Sequence, residues 1–275
     1  VGEFELYWLD GGSFELDGGA MFGPVPKIIW EKKFPTSTGN NIFMVTNPIL
    51  VKANGKKYLI ETGLGNKLTE KQAKMFNLRS EWNVPQSLER LGMSSSDIDC
   101  VILTHCDYDH AGGLVTQDSE GGTFLTFPNA EVVIQKREWE DVLKPGRRAA
   151  HSFWEINFRG VAESGRLTLV DGEKEIAPGI SVRHTGGHNR GHQAVKLSSG
   201  GETALHLGDI LPSHAHFNPL WVMAYDNYPL DVIEQREKLE AEGLRENAWF
   251  TFYHDPKYRA CKFDEKGNPT TMLEW

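Results

Sequence analysis

The sequence predicts an α/β fold in which two sheets pack face to face between outer helices, and three observations carry that expectation. Short apolar segments of strand length recur along the chain, separated by turns rich in glycine, asparagine and proline. Strand pairs, helices and a further buried strand occur in that order in the first half and again in the second. Several of the apolar segments run straight into histidine or aspartate. A two-sheet core with helices on both outer faces gives four layers. A chain of 275 residues can bury a core of that size, and residues 1–275 are read as one domain.

The elements follow in order. Phe4 to Leu9 alternate enough for a first strand. Gly11-Gly12 and Gly18-Gly19 break the next stretch, and Met21-Phe22-Gly23-Pro24-Val25-Pro26 is apolar but so rich in breakers that it reads as a loop. Asn41 to Val45 and Ile49 to Val51 read as strands. Asn54-Gly55 then sits before Tyr58-Leu59-Ile60, a strong hairpin signal because both turn positions favour positive φ. Thr69 with Gln72 forms a capping box for a helix to about Phe76, and Pro85 to Leu91 is a second helix stopped by Gly92. Ile98 to Thr104 and Ala130 to Gln135 are strands, Lys136 to Leu143 is a helix, and Lys144 to Arg159 has no readable structure. Leu167 to Val170 and Ile180 to His184 are strands, and His192 to Leu197 pairs with Thr203 to Leu207 around Ser199-Gly200-Gly201. Asp231 with Glu234 caps a helix to about Ala241, and Trp249 to Tyr253 is a last buried strand that ends at His254.

Composition narrows the function. The net charge of −9 disfavours polyanionic partners, since nucleic-acid binders usually carry a basic face. Three cysteines, Cys100, Cys106 and Cys261, make no disulfide framework and point to a reducing, cytoplasmic location. No apolar run approaches the roughly 20 residues of a membrane span. The opening Val1-Gly2-Glu3-Phe4 has no signal-peptide pattern, and its lack of Met leaves room for a removed upstream segment.

The densest chemistry lies in Thr104-His105-Cys106-Asp107-Tyr108-Asp109-His110-Ala111-Gly112-Gly113, where His105, Asp107, Asp109 and His110 are all metal-ligand types. A buried strand precedes it and Gly112-Gly113 allow a tight turn after it. Three more candidates end strands or close glycine turns: His188 in Thr185-Gly186-Gly187-His188, Asp209 in Leu207-Gly208-Asp209, and His254. A lone histidine after a strand is usually structural; the cluster with three others in this order is what carries the metal reading.

These segments resemble the metallo-β-lactamase superfamily, whose motif is His-x-His-x-Asp-His, followed by Gly-His, Gly-Asp and a late His. Tyr58-Leu59-Ile60-Glu61-Thr62-Gly63 is similar to the family strand that ends in Asp-Thr-Gly, with Glu for Asp. Leu16 to Gly23, Pro212 to His216, Asn218 to Asp226 and Trp249 to His254 look most like the quorum-quenching N-acyl-homoserine lactonase branch. The resemblance implies the αββα sandwich of the metallo-β-lactamase fold and a dinuclear site, with zinc as the first expectation. Site one would use His105, Asp107 and His188; site two would use Asp109, His110 and His254; Asp209 would bridge. It implies hydrolysis of a lactone such as an N-acyl-homoserine lactone by a metal-bridging hydroxide, with Asp109 orienting the hydroxide and passing its proton on. The alternatives are phosphotriester or phosphodiester hydrolysis on the same scaffold, or a non-catalytic binding protein with a decayed site one.

Asp107 departs from the family pattern, which has His there. A carboxylate adds one negative charge, makes the metals weaker Lewis acids, and brings manganese or iron into contention beside zinc. Three states stay open: a working dinuclear site, one tight metal at site two with site one weak, or a site tuned away from hydrolysis. Cys106 reads as a buried filler facing away, with a soft ligand as the sharper alternative. His192 reads as orienting His188 or its loop; His184 and His206 read as packing, and His151 as exposed. His214, His216 and Tyr225 are candidates to donate to a developing oxyanion. The run Phe217, Trp221, Met223, Tyr225 and Tyr228, with Met21 and Phe22, suits either a channel for an apolar chain or a homodimer interface.

Overall fold

Period-two alternation sorts the strand residues between two cores. In the strand Ile49–Ala53, Ile49 and Val51 join Ile60, Ile102 and Val133 of the same sheet against Ile180, Val182, Val195 and Leu197 of the second sheet. Leu50 points the other way, with Leu59, Val101 and Ile134, toward Val84 and Leu88 of one helix and Trp139 of another. The outer face of the second sheet presents Ala194, Leu205 and Phe250 to Val232 and Leu239 of the long helix Pro229–Arg245. The computed structural model describes residues 1–275, and these three apolar layers make it the four-layer sandwich expected from the sequence.

The first sheet has six strands in the order Glu5–Trp8, Ile49–Ala53, Lys56–Ile60, Cys100–Ile102, Glu131–Gln135, Leu167–Val170. Its first two junctions are antiparallel and its last three parallel. The second has seven, in sequence order from Glu173–Ala177 to Pro269–Glu274, antiparallel except where Glu202–His206 meets Trp249–Thr251. Asn54 and Gly55 adopt φ 54° and 74° in the first hairpin, as the sequence predicts. Thr69 and Gln72 form the capping box of the helix Glu70–Met75. No helix is long and apolar enough to cross a membrane.

Several expectations change. Met21 and Phe22 are the end of a short helix, Gly18–Phe22, because Asp17 caps it by accepting from the Ala20 N–H. The strand feeding the metal motif is only Cys100–Ile102; Leu103 N still donates to Val133 O of the first sheet, and Thr104 O then accepts from Gln193 N of the second. The long helix begins at Pro229 with no side-chain cap, so proline at the first position starts it and Asp231 lies in its first turn. Lys144 to Arg159 contains two 3₁₀ turns, Ala149–His151 and Glu155–Phe158. Ser13–Asp17 pairs with Asn41–Val45 in a separate small sheet, and the chain ends in the hairpin Tyr258–Phe263 with Pro269–Glu274. The last strand is mostly exposed, so it lacks the apolar alternation that marks the others.

Gly112-Gly113 matters for close approach rather than for a tight turn. A Cβ on Gly112 would lie 2.1 Å from Leu64 O, and one on Gly113 2.2 Å from Thr62 O. The ligand motif can therefore lie directly on the Glu61–Leu64 turn. We expect Gly113→Ala to destabilise the protein by about 1–3 kcal/mol through overpacking, while Gly146→Ala, which meets nothing within 4 Å, stays within about 0.5 kcal/mol. Equal denaturant midpoints for the two variants would contradict this account.

Candidate metal centre

Four strand ends from two sheets deliver the candidate ligands. Cys100–Ile102 leads into His105, Asp107, Asp109 and His110; Ile180–His184 leads to His188; Glu202–His206 leads to Asp209; Trp249–Thr251 leads to His254. His105, His110, His188 and His254 are all buried, as are Asp109 and Asp209, and Asp107 is only 15% exposed at its side chain.

The distances separate two groups. His188 Nε2 lies 3.4 Å from Asp107 Oδ2 and 3.5 Å from Asp209 Oδ2, and His105 Nε2 lies 3.8 Å from Asp107 Oδ2. On the other side, His254 Nε2 lies 3.2 Å from His110 Nε2, 3.3 Å from Asp209 Oδ1 and 3.6 Å from Asp109 Oδ2. Metal–ligand bonds of about 2.0–2.2 Å at tetrahedral angles set ligand atoms roughly 3.3–3.6 Å apart. Both groups lie close to that spacing, at 3.2–3.8 Å, and Asp209 offers one oxygen to each.

Hydrogen bonds fix three of the four imidazole tautomers. His188 Nδ1 donates to Asp226 Oδ1 at 2.9 Å, and His254 Nδ1 donates to Val45 O at 2.9 Å. The Thr104 hydroxyl donates to Glu61, so it accepts from His105 Nδ1 at 2.9 Å. His110 Nδ1 faces Glu61 Oε1 at 3.4 Å. His105, His188 and His254 thus keep their Nε2 lone pairs for the cluster, the arrangement metal-binding histidines adopt, while His110 Nδ1 faces Glu61 without a formed hydrogen bond. His105 Nε2, His188 Nε2 and Asp209 Oδ1 are buried with no hydrogen-bond partner in the protein. A buried polar atom without a partner is costly, and a divalent cation in each group would satisfy them. The residues fit two such ions.

Charge shapes the same picture. Burial favours the neutral form of His110, but the carboxylates of Asp209 and Glu61 outweigh it and raise the pKa well above the ordinary value. His188 is raised likewise, by Asp209, Asp107 and Asp226 against burial. Burial raises the Glu61 carboxyl, yet His110 and His206 bring it down to about 2. Burial and the other imidazoles lower His105.

A cavity of about 510 Å³ opens onto the cluster, touching Asp107, Asp109, His188, Asp209 and His254. Leu16, Met21 and Met75 line it, with Phe76, Tyr108 and Trp154, whose rings stack at 4.8 Å and 4.5 Å. Tyr225 is in the wall, and burial pushes its phenol up to about 12, so it stays protonated. Arg148, also in the wall, donates to Asp226 O at 3.0 Å.

Of the three expected oxyanion donors only Tyr225 reaches this cavity. His216 is packed face to face on Phe22, with Nδ1 bonded to Ser213 and Nε2 donating to Met21 O at 2.9 Å. His214 is held by Asp255 and stacks on Phe34. Both belong to a turn packed against Phe22 and Phe34, and neither lines the cavity. His192 accepts from the Asp209 N–H at 3.3 Å, so it orients the Asp209 turn. Cys106 packs with Leu103, Ala111 and Trp139, and burial pushes its thiol up, so it is a filler. His206 bonds Thr251 and His184 bonds Arg190 O, as packing residues do. His151 is exposed, yet it sits at the cavity rim.

Asp226, Asn189, Thr104 and Glu61 complete the site, although none of them stands out in the sequence as a ligand or catalytic candidate. Two had a sequence signal: Asp226 closes the lactonase-like segment Asn218 to Asp226, and Glu61 stands where the family strand end has Asp.

A model of the metallo-beta-lactamase superfamily matches residues 42–249, the span that carries all the ligand candidates but His254. The chain belongs to the metallo-beta-lactamase superfamily. It is 26% identical over 188 residues to an N-acyl homoserine lactonase of Bacillus sp, the match covering 67% of each chain. It is 27% identical over 191 residues to a probable metallo-hydrolase of Mycobacterium tuberculosis, covering 63% of this chain and 59% of that one. The match to a Bacillus cereus N-acyl homoserine lactonase spans only 38% of that protein. Among solved structures, a probable metal-dependent hydrolase from Staphylococcus aureus superposes with TM-score 0.95 at 36% identity, covering 100% of this chain and 98% of that one. AidC, a dizinc quorum-quenching lactonase, shares the fold at TM-score 0.80 and 23% identity, covering 99% and 95%. The superfamily member is thus a metal-dependent hydrolase with lactonase relatives at low identity.

Cation binding must displace protons from His110 and His188. As pH falls toward and through their raised pKa values, protonation competes harder, so we expect metal content at fixed free metal to decline from above the ordinary imidazole value of about 6.5. Elemental analysis after equilibrium dialysis across pH 5–8, on the order of one unit per step, reads this out; flat content would contradict it.

Proposed function

We propose that this protein hydrolyses lactones that carry an apolar chain, N-acyl-homoserine lactones being the type substrate. The observation that carries the reading is one cavity in which an ion-fitting His/Asp cluster, a protonated tyrosine and an apolar aromatic wall meet. The relatives named as N-acyl homoserine lactonases support the same substrate class.

Each side chain has a part in that reaction. The Phe76–Tyr108–Trp154 stack with Leu16, Met21 and Met75 holds the chain and keeps water from it. Tyr225 donates its O–H to the ring carbonyl oxygen as negative charge builds there. Asp109, which lines the cavity beside His254 at 3.6 Å, would take the proton of the attacking water and pass it to the departing ring oxygen. Two divalent ions, zinc being the first candidate, would supply Lewis acidity and an acidified water when bound by the two groups.

The test is ring opening by metal-replete protein across N-acyl-homoserine and simple aliphatic lactones, followed as acid release. No turnover with both ions present would sink the proposal. Tyr225→Phe should lower kcat by about 10²-fold with little change in KM, the loss expected for one oxyanion donor. Trp154→Ala should instead raise KM for long-chain substrates and spare the shortest; the reverse pattern would move the chain-binding wall elsewhere.

A further inference from the structure

We propose that Asn189 is a positioning residue that fits the first half of the metal centre to a carboxylate at position 107, which makes Asp107 a purposeful cation ligand. This rests on the metal-site reading above and extends it to a side chain that would touch no ion.

The Asn189 amide lies buried between three partners. Its Nδ2 donates to Asp107 Oδ1 at 2.9 Å and to Glu138 Oε1 at 3.2 Å. Its Oδ1 accepts from Asn227 Nδ2 at 2.7 Å. The orientation is set by a group that can only accept: Asn227 Nδ2 also donates to His188 O at 2.9 Å. Asn227 therefore presents hydrogens to Asn189, and Asn189 must present its own to Asp107 and Glu138. Turning the Asn189 amide over would set donor against donor at Asn227 and acceptor against acceptor at Asp107.

Glu138 is anchored in turn. It is fully buried and accepts from Cys106 N at 2.8 Å and Gly191 N at 3.1 Å, inside the two segments that carry Asp107 and His188. The relay ties both ligand segments of the first group to one helix. With Oδ1 held by Asn189, Asp107 points Oδ2 toward His188 and His105.

A histidine at position 107 would not suit this pocket. An imidazole that binds a cation through one nitrogen carries a hydrogen on the other. That hydrogen would meet the Asn189 hydrogens where Asp107 now offers an acceptor. Asp107 and Asn189 therefore form a matched pair.

The experiment titrates metal-free protein with zinc(II) against a chromophoric chelator, for the wild type and for Asn189→Asp, Asn189→Ala and Asp107→His. The wild type should bind two equivalents. Each variant should weaken one equivalent by about 10–100-fold, the usual effect of removing a group that orients a ligand, and leave the other unchanged. Asn189→Asp is nearly the same size, so it keeps the test alive if Asn189→Ala fails to fold, as circular dichroism would reveal. Wild-type affinity for both equivalents in the two Asn189 variants would overturn the proposal. So would tighter binding by Asp107→His than by the wild type. Two equivalents bound in an Asn189-dependent way without lactone turnover would sink the lactonase reading and leave this one standing.

Discussion

One buried carboxylate, Glu61, underlies the electrostatics of the centre. It accepts the Thr104 hydroxyl hydrogen, which makes Thr104 the acceptor for His105, and it faces His110 directly. The His105 imidazole owes its tautomer to it, and the His110 imidazole has it as its nearest carboxylate on the Nδ1 side. A cluster of aimed lone pairs is unstable without such partners, because any ring free to shift its proton would hydrogen-bond a neighbouring carboxylate instead. Glu61 sits at φ 64°, a backbone position side chains other than glycine and asparagine rarely occupy. The Glu61–Leu64 turn beneath Gly112 and Gly113 holds it there.

The fold serves this cluster by pooling strand ends from both sheets at one edge of the sandwich. No single segment carries a full ligand group: His105 depends on His188 and Asp209, and Asp109 and His110 depend on His254. The partners that hold the rings come from further away still. Asp226, which orients His188, is 38 positions along the chain, and Val45, which orients His254, is 209 positions away.

That range explains what the sequence could convey. The hairpin at Asn54-Gly55 and the Thr69–Gln72 box are local rules, and they read correctly. The seven ligand candidates carry their own chemistry in residue type and order, so they were legible together. His214 and His216 are the same residue type in an equally suggestive place, but what decided their role was the direction in which their turn faces, which no local pattern encodes. Asn189 is an ordinary polar residue until folding brings it against Asp107, and Glu61, visible only as a family-like strand end, shows its partners only once folding sets it against His110. The terminal hairpin stayed hidden because exposed edge strands need no apolar alternation.

Tyr108 lies between Asp107 and Asp109, and its ring is the middle member of the aromatic stack between Phe76 and Trp154. One turn of chain thus belongs both to the ion-binding cluster and to the cavity wall. Such a residue resists drift, because reshaping it for a new substrate also disturbs the carboxylates on either side. Phe76 and Trp154 carry no such double duty. Divergence of substrate preference in this lineage would therefore run through those flanking rings, with the centre of the stack held still by the chemistry it adjoins.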